Sequence, residues 1–152
     1  MLKKQESKLQ RDTRRLIEMV LGGFWFKVHG GPFQRAGIPD LLGCVMGYYI
    51  GVELKWGERG KTSGVQKEVM RLIRREGGMA FVSRDPHHAV DKIIKGLRTR
   101  NALTKNEALS LSKKSHSICL KRKKRRLVYG TGDWEDARRT RGRRKAVVSG
   151  LR

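Results

Sequence analysis

The chain has 152 residues, enough for one domain and an appendage, and carries 36 Lys+Arg against 14 Asp+Glu, a formal charge of +22. So large an excess points to a polyanionic partner, with nucleic acid the first candidate and an anionic membrane surface the rival. No apolar run approaches the roughly 20 residues that span a bilayer, and Met1-Leu2-Lys3-Lys4 leads into polar sequence rather than a signal peptide. Cys44 and Cys119 lie far apart without CxxC spacing, so a reduced, cytoplasmic setting is expected and a zinc site is not.

Leu9, Leu16, Ile17, Val20 and Leu21 recur at helical spacing, and Gly22-Gly23 ends that helix. Phe24 to Val28 reads as a strand closed by His29-Gly30-Gly31-Pro32. Leu41 to Met46 and Tyr48 to Lys55 flank Gly47 and predict an antiparallel hairpin, with Cys44 a small core residue. Thr62-Ser63-Gly64 opens a helix whose inner stripe is Val65, Val69, Leu72 and Ile73, and Gly77-Gly78 stops it. Met79 to Val82 is a further strand. Asp85-Pro86 starts a helix with Ala89, Val90, Ile93, Ile94 and Leu97 on one face, and His87-His88 fall at its beginning.

The order αβββαβα predicts an α/β fold with a small mixed sheet between helices. Charge divides the chain. Residues 1–97 hold 18 basic and 10 acidic side chains, whereas residues 98–152 hold 18 and 4. A folded core over 1–97 and a basic, partly helical or disordered extension over 98–152 follow. In the extension, Thr104-Lys105-Asn106-Glu107 has capping-box spacing for a helix through about Lys114. Lys121, Arg122, Lys123, Lys124, Arg125 and Arg126 form a solid basic run, and 138–145 is nearly another. With Tyr129 and Trp134 nearby, this region is expected to grip a phosphate backbone or stack on bases.

The chemistry lies in the core. Along the strand ending at Lys55, Ile50, Val52 and Leu54 face one way and Glu53 and Lys55 the other. Asp40 follows a Gly-x-Pro turn at the start of the preceding strand, where a hairpin can bring it beside Glu53. Two carboxylates of this kind suit Mg²⁺ or Mn²⁺, which would acidify water and neutralise charge on a phosphodiester, while Lys55 orients the water or stabilises the transition state. Glu53-Leu54-Lys55 alone is a weak signal, equally a surface ion pair. Its spacing from Pro39-Asp40 in a basic chain makes it informative. Lys27, His29, Gln34, Arg35 and Lys61 flank this cleft as candidate phosphate contacts.

These residues resemble the PD-(D/E)xK nuclease superfamily and, within it, the VRR-NUC (virus-type replication-repair nuclease) branch. Glu6 in the first helix, Gly37-Ile38-Pro39-Asp40, Glu53-Leu54-Lys55 and Ser63-Gly64-Val65-Gln66 occur in that branch's order. The resemblance spans residues 5–97. It implies a restriction-endonuclease-like αβββαβ core and metal ligation by Asp40, Glu53 and the Leu54 carbonyl. Glu6 would be a further acidic ligand and Lys55 the catalytic lysine. Glu6 also falls in line with the apolar stripe of its helix, where an inward carboxylate wants a partner; its alternative is a first-turn residue facing the helix dipole. Gln66 is expected to bond the active-site strand or touch the nucleic-acid backbone.

The resemblance further implies a Mg²⁺-dependent DNA endonuclease of phage-like type, without an organic cofactor, leaving 5′-phosphates. Junction or repair substrates and a homodimer are expected. The alternatives are a homing or restriction-type enzyme and a non-catalytic nucleic-acid-binding protein. Gly37-Ile38-Pro39 and Tyr49-Ile50-Gly51 superficially suggest the GIY-YIG nucleases, but Pro39 replaces the tyrosine which that chemistry needs.

Overall fold

The computed structural model describes the backbone of residues 2–31, 34–57 and 60–129, with the side chains of 5–31, 34–57, 60–118, 120 and 121. Among the described residues, four helices and four strands run in the order α1 (Leu2–Leu21), β1 (Phe24–Lys27), β2 (Leu41–Val45), β3 (Tyr48–Leu54), α2 (Gly64–Arg75), β4 (Met79–Ser83), α3 (Pro86–Thr99) and α4 (Lys105–Tyr129). They form the expected mixed α/β core. The sheet order is β1-β2-β3-β4, antiparallel except for the parallel β3–β4 pair that α2 connects.

The β2–β3 hairpin turns on Met46-Gly47, with φ of 51° and 81°. A two-residue turn with both φ values positive matches the right-handed twist of its strands. It also fixes the register Leu41↔Val52, which places Asp40, one position earlier, opposite Glu53. Gly23 at φ 82° cannot carry a side chain, since a Cβ there would lie 2.6 Å from the Cys44 carbonyl oxygen. The chain therefore leaves α1 flush against β2.

One sheet face is a continuous apolar core. Trp25 lies over Gly43, and Leu41, Val45, Ile50, Val52 and Leu54 are buried together with Leu9, Leu16, Ile17 and Val20 of α1 and Val90, Ile93 and Leu97 of α3. On the other face α2 covers β3 and β4, with Ile73 against Gly51. The inner stripe of α2 differs from expectation. Met70 is its buried residue and Val65 is 54% exposed, because the first turn of α2 lies at the rim of the sheet. Cys44 is likewise exposed rather than in the core, since its row of the sheet lies beyond the cover of α2.

The compact unit runs from Met1 to His116 rather than stopping at 97. Leu103, Ala108 and Ser115 are buried, and Ser115 and Ser112 bond His87 and Asp91 of α3. Apolar burial thus ends later than the charge transition suggests. Helix α4 also continues beyond Lys114, to Tyr129. Its cap is Thr104, whose hydroxyl accepts from the Glu107 amide while Glu107 accepts from the Thr104 amide. The side chains of Arg122, Lys123, Lys124, Arg125, Arg126 and Tyr129, with Trp134 and the cluster at 138–145, lie outside the described residues.

Candidate active site at the β2–β3 strand ends

The segment Gly37-Ile38-Pro39 delivers Asp40 to the sheet through two close packings. Gly37 has φ 82°, and a Cβ there would stand 2.8 Å from the backbone of Val65 in α2. Pro39 is buried over Gly51, with 2.9 Å between its Cγ and the Cβ position of that glycine. The Asp40 carbonyl accepts from the Val28 amide at 2.8 Å. Its carboxylate is held at both oxygens: Oδ2 accepts from the Leu54 amide at 2.8 Å, and Oδ1 accepts from Gln10 Nε2 at 3.0 Å.

Across the hairpin Glu53 is 1% exposed. Its Oε1 receives Lys55 Nζ at 2.6 Å and Gln66 Nε2 at 2.5 Å. Its Oε2 is buried and has no hydrogen-bond partner among the described residues. Burial pushes the pKa of Glu53 up, opposed by the Lys55 bond and reinforced by the negative charge of Asp40. Asp40 is also raised, first by burial; the Leu54 amide and Lys55 pull it down and Glu6 pushes it up. Two carboxylates thus share a poorly hydrated place with one ammonium.

The orientation of Gln66 has a local cause. Ser63 caps α2, with its hydroxyl accepting from the Gln66 amide at 3.2 Å, while Gln66 Oε1 accepts from the Ser63 amide at 2.9 Å. With the amide oxygen of Gln66 committed to the helix cap, its NH₂ group turns to Glu53. A glutamate at this position would complete the same cap but would set a carboxylate against Glu53. The Gln of Ser-x-x-Gln is therefore chemically specific. Lys55 is steadied from the far side, where Arg84 donates to the carbonyls of Gly57 and Gly60 at 3.0 and 3.2 Å. Gly60 packs over the Lys55 stem.

Asp40, Glu53, Lys55 and Gln66 are brought together, and Leu54 joins them through its amide. Glu6 is exposed on α1, near enough to Asp40 to disfavour its charge yet not within a three-carboxylate cluster; among the described residues no group of three His, Cys, Asp or Glu could hold a metal. The helix contributes Gln10 instead, one turn further along the same face. Its i+4 spacing from Glu6 was visible, but an uncharged amide gave no reason to single it out. Lys27 is close enough to lower the Asp40 pKa. Arg35 is exposed and, with Gln34, Val28, Gly30 and Gly31, lines a cleft of about 340 Å³ that opens on Asp40. Lys61 and Lys121 are exposed, Lys61 in the β3–α2 connection and Lys121 far along α4.

The donor set fits a hard divalent cation. An orphaned buried carboxylate oxygen is costly unless something neutralises it, and Glu53 Oε2 is such an atom beside a second carboxylate. Mg²⁺ commonly takes only one or two carboxylates and keeps several waters, so two acids suffice.

A mixed sheet that sets Pro-Asp against Glu-x-Lys, with the lysine on the glutamate and a helix-capping glutamine beside them, defines a nuclease of the PD-(D/E)xK type. No family model and no curated protein matches the chain. A solved structure described as a VRR_NUC domain is 31% identical, covering 59% of this chain and 94% of that one, with a TM-score of 0.49. Another, a VRR_NUC domain protein, is 17% identical and covers 59% of this chain and 88% of its own, at a TM-score of 0.47. By its identity across nearly the whole of the first of these domains, the chain belongs to the VRR-NUC family.

Proposed function

We propose that this protein is a divalent-cation-dependent DNA endonuclease acting at branched or interrupted duplexes, a junction or repair enzyme of phage-like type. The observation that carries the reading is Glu53, buried, with one oxygen bound by Lys55 and Gln66 and the other, beside Asp40, without a partner among the described residues. Side-chain charges at the centre sum to one negative, from Asp40 and Glu53 against Lys55, so a phosphodiester would be repelled there. A divalent cation held by Asp40 and Glu53 would reverse that sign and supply Lewis-acid activation of water and phosphate.

The chain's own residues do the rest. The Leu54 amide and Gln10 fix both Asp40 oxygens, so that carboxylate needs no rearrangement when substrate arrives. Gln66 holds Glu53 from the helix side and leaves Oε2 facing the site. Lys55, 17% exposed, can donate to a non-bridging phosphate oxygen or orient the attacking water while its charge offsets the developing negative charge. Lys27 and Arg35 lie where the flanking backbone would pass, and the basic α4 adds salt-sensitive affinity. An exposed free Cys44 fits work in the reducing cytoplasm, and two strands to cut favour a homodimer.

The test is incubation with linear duplex, single-stranded, flap and four-way-junction DNA, with Mg²⁺ or Mn²⁺ and with chelator. Cation-dependent cleavage that Asp40→Asn and Lys55→Ala abolish is expected. Chelator-resistant cleavage, or DNA binding with no cleavage of any member, would refute it.

A further inference from the structure

Among the described residues, the sheet face that carries Asp40 and Glu53 is only half covered. Helix α2 packs on β3 and β4, whereas edge strand β1 leaves Phe24 69% and Phe26 43% exposed, and Tyr49 on β3 is 46% exposed. The register sets these rings in rows. Phe24 pairs Cys44, which pairs Tyr49; Phe26 pairs Leu42, which pairs Gly51; the next row holds Val28, Asp40 and Glu53. Rows on one face are about 6.8 Å apart. Phe26 therefore stands about 7 Å, and Phe24 and Tyr49 about 14 Å, from the row of the two carboxylates. Phe24 and Phe26 lie 5.9 Å apart between centroids, tilted by 46°.

We infer that Phe24, Phe26 and Tyr49 form a stacking platform for unpaired bases of the DNA strand whose phosphodiester occupies the Asp40–Glu53 site. This rests on the nuclease reading and narrows its substrate. At about 3.4 Å per stacked nucleotide, the platform meets bases roughly two to four positions from the scissile bond. Bases within a duplex have both faces occupied by their neighbours, so only an unpaired flank can meet exposed rings. Stacking on aromatics is indifferent to sequence because every base has a π-face.

Charge and area select the occupant. A chain of +22 attracts a polyanion. Three rings of roughly 150–250 Å² each, about half exposed, offer roughly 300 Å², well short of the roughly 800 Å² per partner of a stable protein interface. Lys27, on the same edge strand but alternating to the other sheet face, is near enough to Asp40 to act on its charge and offers a cation at the carboxylate end of the strip.

The experiment uses the full chain with chelator present, so that binding is read without cleavage. Fluorescence anisotropy measures affinity for an oligothymidine carrying one 2-aminopurine and for a blunt duplex of equal length. Phe24→Ala with Phe26→Ala should weaken single-strand binding by about tenfold or more per ring, abolish 2-aminopurine quenching and leave duplex affinity within twofold. Phe26→Leu, which keeps apolar bulk, should lose single-strand affinity, and Phe26→Trp should restore it.

Equal loss on both DNAs, unchanged single-strand binding, or full affinity in Phe26→Leu would overturn the platform. So would a wild-type dimer that the double variant converts to monomer in sedimentation, since the strip would then be an interface between copies. Cleavage by the wild-type protein with Mg²⁺ is scored separately. Its failure would sink the nuclease reading, whereas loss of the platform alone leaves cleavage of some substrate in place.

Discussion

Adding a divalent cation should stabilise the fold, and the gain should grow with pH. Without a cation, burial holds the pKa of both Asp40 and Glu53 above their ordinary values of 3.8 and 4.5. A carboxyl with a raised folded-state pKa binds more protons folded than unfolded, so its contribution to stability is complete below the ordinary value and lost as pH rises through the folded one. The cation-free protein should lose stability across that window. A cation competes with those protons, and its effect should be absent in acid and full once both groups are ionised. The orphaned Glu53 Oε2 alone represents about 1–3 kcal/mol of unmet interaction. A site filled at one hundred times its Kd adds about 2.7 kcal/mol, which for a chain of this size raises Tm by about 5–10 °C. Scanning calorimetry from about pH 3 to about pH 8, a span that runs from just below the ordinary acid values to above neutrality, with Mn²⁺ or chelator, reads both trends. No cation-dependent shift at neutral pH, or an equal shift in Glu53→Gln, would refute the reasoning.

Asp40→Asn should keep the fold while losing cation-dependent stabilisation and at least about a hundredfold in cleavage rate. Its remaining oxygen can accept from the Leu54 amide and its NH₂ can face a flipped Gln10 amide, so circular dichroism and Tm should change little. Ser63→Ala removes the acceptor for the Gln66 amide and should cost about 1 kcal/mol. It should leave kcat nearly unchanged, because the Ser63 main-chain amide that holds Gln66 Oε1 is retained; a large fall in kcat in steady-state cleavage would show that this bond does not aim Gln66 at Glu53 by itself. Gly37→Ala should destabilise by about 1–3 kcal/mol in urea titration, since it combines a left-handed backbone with a contact against the Val65 main chain. Neutralising Lys121 and its basic neighbours to Arg126 should flatten the salt dependence of DNA binding and spare chemistry in saturating substrate.

The local signals in the chain were strong where physics is local. Gly22-Gly23 and Gly77-Gly78 end helices, Asp85-Pro86 opens α3, and period-two patterning separates Ile50, Val52 and Leu54 from Glu53. The ordered motifs supplied the family. Boundaries that depend on burial were less legible: α4 begins as a packed helix and continues into the basic run, so a charge transition could not mark where the core ends.

What the amino-acid order determined by itself was the succession of elements, their buried faces and the acids and lysine worth watching, because capping, turn chemistry and alternation act over a few residues. Tertiary packing alone decided that Gln10, thirty residues away, grips Asp40. It also decided that the cap of α2 turns Gln66 onto Glu53, and that one Glu53 oxygen is left without a partner among the described residues. The same holds for Phe24 and Cys44. Strand periodicity assigns them a face, but whether that face meets a helix or solvent depends on where α2 settles, and no short stretch of sequence encodes that distance.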